Sequence, residues 1–387
     1  MLRKILIAFF VVFLLFAGAA AYLFYKIRPG IRAALAQNEA TRKMLHPRVV
    51  TGEGEFEKRA FYAGDGLGEI SQILVGWPAN REGAEIAVVG NHGTDFIDFT
   101  GIVRKQVRYE VAQGCPVVVA RVEPSGTYGF LTRDESWAAP VTLFDAQGRV
   151  HWRSDGGWSG VDDSVAGDVH GDGKLSIAIG FNGDGGVALI DDHGKTVWKI
   201  EDTNVWHVEM LDTNGDGRQE ILNSNAKGEL VVRNESGDVS ARYSPRGYVS
   251  RFTITRWDQE AAPTHILASV SGDGERCCET AMVILDAKGK EVQRLEAPMG
   301  ELFTGISATP IRFQGGDSYF AVLQSLSSSD RSMLLLYSGD GQIAYQEVFN
   351  ETCMGLGVFP DKGGERLLLG CAAKVWEFSP SARKGTR

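Results

Sequence analysis

Cysteine is scarce: five residues in 387, at Cys115, Cys277, Cys278, Cys353 and Cys371. That is too few for a disulfide scaffold, so the fold must rest on a packed core, with room for one or two bonds in an oxidising compartment. Proline is sparse as well, 12 against 47 glycines, a balance that suits many tight turns. No nucleophile elbow, phosphate loop, paired-His zinc motif or heptad run occurs. Gly64-Asp65-Gly66-Leu67-Gly68 is a glycine-rich turn without the strand–turn–helix setting that phosphate binding needs. Net positive charge is missing from the body. The chain carries −9, but residues 1–48 carry +7, which leaves −16 on residues 49–387. Phosphate binding needs a basic face on the body, so nucleic acid is excluded as a partner.

Long apolar runs are absent with one exception, Ile5–Tyr25, which holds no charge. As a helix it rises about 31 Å, enough to span a bilayer core. Arg3 and Lys4 precede it and Lys26, Arg28 and Arg32 follow, a basic setting suited to anionic lipid headgroups. An uncleaved membrane anchor over residues 1–25 is expected. The alternative is a secretory signal with a small-residue site at Ala17-Gly18-Ala19. Either reading exports the body. Residues 26–52 then read as a basic stalk and 53–387 as the body.

What the body has in abundance is turn glycine at a regular interval. Gly101, Gly148, Gly194, Gly237, Gly289 and Gly341 each close a turn after a strand-like run, in steps of 47, 46, 43, 52 and 52 residues. That period belongs to four-stranded propeller blades. A seventh unit, Met354–Phe359, Arg366–Cys371 and Lys374–Phe378, lacks a fourth strand, which Gly54–Phe61 can supply from the other end. The expectation is an all-β, seven-bladed β-propeller preceded by an N-terminal transmembrane helix. Two β-sandwiches are the competing architecture.

One stretch carries metal-type chemistry. Asp212-Thr213-Asn214-Gly215-Asp216-Gly217-Arg218-Gln219-Glu220 places side-chain oxygens at positions 1, 3, 5 and 9, with a glycine at position 6. A hard divalent cation requires several inward oxygens and a sharp turn to aim them. Asp212, Asn214, Asp216, Glu220 and the Arg218 carbonyl are the candidate Ca²⁺ ligands. The twelfth position is Asn223 rather than Glu, and the flanks are strand-like, so the loop is not an EF-hand. Forty-four residues earlier, Asp168-Val169-His170-Gly171-Asp172-Gly173 repeats the pattern. There, His170 and Ser176 replace two oxygen ligands, so Asp168, His170 and Asp172 form a degenerate copy.

These two loops, with the strands after them, resemble the FG-GAP or VCBS repeats of integrin-type propellers. The stretches Val141–Trp152 and Val187–Trp198 are similar to the tryptophan-docking repeats of quinoprotein propellers. The first resemblance implies calcium loops between the first and second strands of some blades, where a cation pins a hairpin. The adjacent Cys277-Cys278 pair is similar to the vicinal disulfide of some quinoprotein dehydrogenases, but Glu275-Arg276-Cys277-Cys278-Glu279 reads as a polar blade loop, which favours two free or separately paired thiols.

Trp152, Trp198 and Tyr345 all stand four residues after a ruler glycine, a packing position between blades. Asp162, Asp163, Trp206, His207 and Arg251 fall at or near innermost strands, which line a propeller channel. They could grip a polar ligand or support acid–base work, or fill a wet channel. Cys353 and Cys371 flank the turn at Pro360–Gly364 at equal distances, so an antiparallel hairpin opposes them and allows a disulfide unless a bulge shifts the register. The function expected is a calcium-stabilised, membrane-tethered platform outside the cytoplasm that recognises a protein or glycan. The rivals are an anchor subunit of an envelope complex and a calcium-dependent enzyme, either polysaccharide lyase or quinone-dependent dehydrogenase.

Overall fold

The computed structural model describes residues 49–51, 56–76, 86–109, 117–121, 128–133, 140–156, 160–255, 265–271, 280–296, 303–316, 318–326 and 331–381, with Gly18, Tyr22, Val111 and Trp257 as single positions. The chain divides into two units, 1–46 and 47–387. In the first, Gly18 and Tyr22 are helical. Among the described residues no helix is long and apolar enough to cross a membrane. Those two positions apart, the expected span at 5–25 lies outside them, as do Cys115, Cys277 and Cys278.

The second unit is seven antiparallel sheets in chain order. Blade 1 comprises Ile70–Val75, Ile86–Gly90, Gly93–Ile97 and Val103–Arg108; blade 2 comprises Val118–Arg121, Tyr128–Arg133, Val141–Phe144 and Val150–Ser154. Blade 3 is Val161–Gly167, Ser176–Phe181, Gly186–Ile190 and Thr196–Glu201; blade 4 is Val208–Leu211, Glu220–Ser224, Leu230–Arg233 and Val239–Tyr243. Blade 5 holds Tyr248–Thr255, His265–Ser271, Thr280–Asp286 and Glu291–Leu295; blade 6 holds Phe303–Arg312, Ser318–Leu326, Arg331–Tyr337 and Ile343–Phe349. Blade 7 has Cys353–Asp361, Gly364–Cys371 and Lys374–Pro380, with Phe56–Ala63 as its outermost strand.

Burial follows from this stacking. Every residue of Ser176–Phe181 and Gly186–Ile190 is buried, because a central strand has a neighbouring blade on each face. Ile177, Ile179 and Phe181 join Leu131, Val141 and Leu143 of blade 2. The alternate residues Ala178, Val187 and Leu189 join Val208, Met210 and Ile221 of blade 4. Each full Ile, Leu or Val burial contributes roughly 1.5–3 kcal/mol. Outer strands are half-solvated and alternate, as Thr196–Glu201 does.

The ruler glycines take φ between 74° and 86°, a left-handed conformation that costs glycine little. In blade 2 the turn is held by Asp145, whose carboxylate accepts the N–H groups of Gln147 at 2.8 Å and Arg149 at 2.9 Å. Trp152 lies over Gly194, where a Cβ would sit 2.8 Å from the indole, and Nε1 donates to the Asp192 carbonyl at 3.0 Å. Trp198 repeats this over Gly237, donating to the Glu235 carbonyl at 2.9 Å. Tyr345 differs: its hydroxyl bonds Glu347 at 2.9 Å, and its ring meets Phe56 and Phe378. Blade 7 has no ruler glycine for it to cover, because the N-terminal strand supplies that blade's edge.

Ring closure uses Phe56–Ala63, two residues later than the sequence pattern places it, paired along Lys374–Pro380. The preceding stretch is not purely a stalk: Val49–Thr51 adds a fifth strand to blade 6. The segment also reaches blade 1, where the Tyr62 hydroxyl donates to Asp95 at 2.5 Å. One N-terminal segment therefore holds three blades.

Cys353 and Cys371 are directly opposed and joined, with Cα atoms 3.9 Å apart. The register comes by an unexpected route. A two-residue turn at Lys362-Gly363 pairs Asp361 with Gly364, and this alone would set Cys353 out of step. A bulge between Cys353 and Gly355 restores the opposition. Peptide mapping without reduction is expected to recover the two cysteines in one linked pair. The Cys353→Ala, Cys371→Ala double variant is expected to lose about 3 kcal/mol, from releasing a loop of roughly 19 residues. Free, alkylatable thiols at both positions would refute the bond.

Candidate functional site

The same kind of bulge recurs near the start of the inner strands. Register shifts fall between Ile70 and Gln72, Val161 and Asp163, Val249 and Arg251, and Phe303 and Gly305. In blade 3 the extra residue is Asp162. A bulge sets an additional side chain outside the strand's alternation, so blade 3 offers two consecutive carboxylates near the channel.

The two do different work. Asp163 accepts from the His207 ring at 2.5 Å and from the Val208 N–H at 3.1 Å, tying blade 3 to blade 4. The other His207 nitrogen meets Glu209 at 3.0 Å. Glu209 in turn accepts the Ile254 N–H of blade 5 at 3.0 Å, and Arg251 returns a bond to the Trp206 carbonyl at 2.9 Å. Arg133 of blade 2 donates to the Val161 carbonyl at 3.0 Å and also to that of Asp162. Four blades are thereby clasped in series. Trp206 and His207 lie just before the inner strand of blade 4, which begins at Val208, and not within it.

Burial disfavours the imidazolium of His207, but the charges and hydrogen bonds of Asp163 and Glu209 outweigh it and raise its pKa to about 9. Burial would also raise Asp163, yet the charge and hydrogen bond of His207, the charge of Arg251 and the Val208 N–H hold it below the usual carboxylate range. His207 is therefore a cation at neutral pH with both nitrogens engaged, and it cannot serve there as a general base. Asp162 is half-buried and titrates higher than usual because burial outweighs the charges of Arg133 and Arg251. Sequence patterns missed Arg133 and Glu209. Glu209 was accessible in principle, since it follows His207 by two residues and the two bond to each other; Arg133 comes from a second strand and carried no signal.

The paired loops lie side by side. Gln219 donates its N–H to the Asp168 carbonyl at 3.1 Å, and its side chain accepts the Asp168 N–H at 2.7 Å. In the 212–220 loop, Asp212 accepts the N–H groups of Gly215 at 2.6 Å and Gly217 at 2.9 Å. Asn214 accepts from Asp216 at 2.8 Å, and Asp216 from Arg218 at 2.8 Å. Glu220 is buried and accepts from Thr213 and Asn214. The donor set is all hard oxygen, and oxygens that accept one N–H keep a second lone pair, so its chemistry fits Ca²⁺. The carboxylates are spread more widely than one coordination shell: among the described residues, only Glu351, Cys353 and Cys371 bring three ligand atoms within 4.8 Å of one another. Those two sulfurs are bonded together and offer no thiolate. In the earlier loop Asp168 caps Gly171 and Gly173 at 2.8 Å each, and Asp172 pairs with Lys174 at 3.4 Å. His170 stands in the exposed turn, where its charge acts on Asp172.

No family pattern matches the chain, and no curated protein matches it either. Solved structures do. The BBS1N propeller, in complex with ARL6DN, is similar at TM-score 0.55 and 9% identity, covering 85% of this chain and 97% of that one. The Pan2 WD40 domain of Neurospora crassa is similar at TM-score 0.52 and 12% identity, covering 86% and 97%. The fold is a seven-bladed β-propeller. Identities this low carry the fold and leave activity to the site itself.

Proposed function

We propose that this chain is a membrane-tethered platform outside the cytoplasm, a rigid propeller that docks a protein partner and is stabilised by Ca²⁺. The observation that carries the reading is His207, locked as a cation between Asp163 and Glu209. The strongest acid–base candidate near the channel is committed to holding blades together, which favours a scaffold over the enzyme reading. The BBS1N propeller was solved with a protein, ARL6DN; a disc of the same build supports docking here by fold analogy alone. The apolar run Ile5–Tyr25 supports the tether. Immunoprecipitation of the full chain from its own membranes, with crosslinking, tests the reading: a stoichiometric protein partner is expected, and turnover of a small substrate without one would overturn it.

The resemblance of 212–220 to FG-GAP loops supports the cation. Asp212, Asn214, Asp216, Glu220 and the Arg218 carbonyl would hold it, and it would crosslink the hairpin between the first two strands of blade 4. A ligand bound only by the folded state stabilises by about 2.7 kcal/mol at a hundred times its Kd. Thermal melts are expected to rise with free Ca²⁺ in the wild type and in Asp172→Ala, but not in Asp216→Ala. Equal response of wild type and Asp216→Ala would remove the cation from the proposal.

A further inference from the structure

Beside the clasp stands a group of side chains whose bonding capacity it does not use. The Asp162 carboxylate accepts no hydrogen bond from a described residue; only the charges of Arg133 and Arg251, and of Asp163 beside it, act on it. Arg133 Nε is buried without a partner. Arg251 commits one nitrogen, to the Trp206 carbonyl, and among the described residues the rest of its fork has no hydrogen-bond partner. Trp206 is partly exposed, and its indole N–H meets no described acceptor. Its ring faces that of Tyr248 at 5.5 Å between centroids, tilted by 39°.

The aromatic pair is held in advance. Tyr248 is 39% exposed, yet its hydroxyl is tied to the Ala226 carbonyl. Gly228 lies against its ring, where a Cβ would come within 3.0 Å. Trp206 is fixed at its carbonyl by Arg251. An aromatic surface ordered before binding loses little entropy when a ligand arrives.

Charge decides the class of ligand. The group and the clasp together hold Arg133, His207 and Arg251 against Asp162, Asp163 and Glu209, with His207 protonated. Three cations balance three anions, so no net field draws in an ion. What the group offers is an acceptor within the field of Arg133 and Arg251, and an aromatic pair whose Trp206 is held at its carbonyl by that same Arg251. A hydroxyl is both donor and acceptor, and a pyranose ring adds an apolar face that stacks on aromatics.

We propose that Asp162, Arg251, Trp206 and Tyr248 form a subsite for one ring of a neutral saccharide, at the channel end between blades 3 and 5. Asp162 accepts from a ring hydroxyl, Arg251 donates to the next, and the Trp206–Tyr248 pair carries the ring. This site is independent of the protein-docking reading, since neither its residues nor its test involves a protein partner.

Isothermal titration of the purified full chain with maltotetraose, cellotetraose, mannotetraose and tetra-N-acetylchitotetraose tests it, with tetragalacturonate and a tetraglutamate peptide as charged controls. At least one neutral sugar is expected to bind with Kd below about 1 mM and to alter tryptophan fluorescence. Asp162→Ala removes a side chain that makes no described hydrogen bond, so the fold is expected to be unaffected while affinity falls about tenfold. Trp206→Ala is expected to abolish binding, and Trp206→Phe, which retains a ring against Tyr248, to keep part of it. Melting curves of each variant separate lost binding from lost folding. No binding by any neutral sugar, tighter binding of either charged control, or unchanged affinity in folded Asp162→Ala would each overturn the subsite.

Discussion

Deleting residues 1–63 is expected to leave a body that aggregates, whereas deleting residues 1–46 leaves a soluble, folded one. The longer deletion removes the entire ladder between Phe56–Ala63 and Lys374–Pro380. It strips Phe56 from a cluster with Phe313, Tyr345 and Phe378, at centroid distances of 5.5, 4.8 and 5.9 Å. It takes Arg59 away from Glu377 (2.7 Å), a carboxylate left with a side chain only 4% exposed, and Tyr62 away from the fully buried Asp95. Loss of a fully buried Phe costs about 3–5 kcal/mol, an upper bound for the partly buried Phe56, and each buried acceptor left short of a donor costs about 1–3 kcal/mol. The total is comparable with the whole stability of a typical domain, about 5–15 kcal/mol. The strand Lys374–Pro380 would also become a free edge, open to pairing with another copy. Gel filtration and circular dichroism of the two truncations decide it. Identical monomeric elution and melting of both would sink the closure account.

Breaking the axial clasp is expected to have the next largest effect, and one that depends on pH. His207 titrates at about 9 in the fold against 6.5 unfolded. A raised pKa means that its contribution is complete below 6.5 and is lost as pH rises through 9. Asp163 is shifted the opposite way, so its contribution is present above the ordinary carboxylate range and fades as pH falls. The clasp is therefore strongest in mildly acidic solution up to pH 6.5. At 1.36 kcal/mol per unit the His207 shift corresponds to about 3 kcal/mol at most. Its side chain is 21% exposed, so solvent screening trims this only modestly. Urea midpoints of the wild type should fall between pH 6.5 and 9. In His207→Gln they should be low and flat across that interval. Asp163→Asn, which leaves a buried imidazolium without its main counter-charge, should cost about 3 kcal/mol near neutrality. A wild-type profile that is level from pH 6.5 to 9, or a His207→Gln profile that retains the slope, would show that the clasp does not hold the blades.

Much of the architecture was readable from turn chemistry. The ruler glycines mark blades because a left-handed turn position admits glycine at little cost, whatever packs around it. Trp152 and Trp198 were legible as packing residues for a similar reason: each is placed by its own hairpin, and the neighbouring turn comes at a fixed interval. Tyr345 broke that rule because its neighbour, blade 7, is completed by a strand from the other end of the chain. The disulfide was legible as an opposed pair, but the two-residue turn and the compensating bulge that produce the opposition were not.

The candidate sites divide along the same line. The oxygen pattern of 212–220, the degenerate copy at 168–173 and the period of the blades belong to the sequence itself, because each depends on residues within one hairpin. Which of Asp162 and Asp163 is tied down was decided only in three dimensions. A bulge in the inner strand gives Asp163 to His207 across the blade boundary and leaves Asp162 outside the ladder. Arg133, Glu209 and Tyr62 acquire their roles from partners on other blades. Local geometry is written in neighbouring residues, whereas contacts between blades depend on how seven sheets are turned about one axis, and hydrogen bonds as short-ranged as these form only after that arrangement exists.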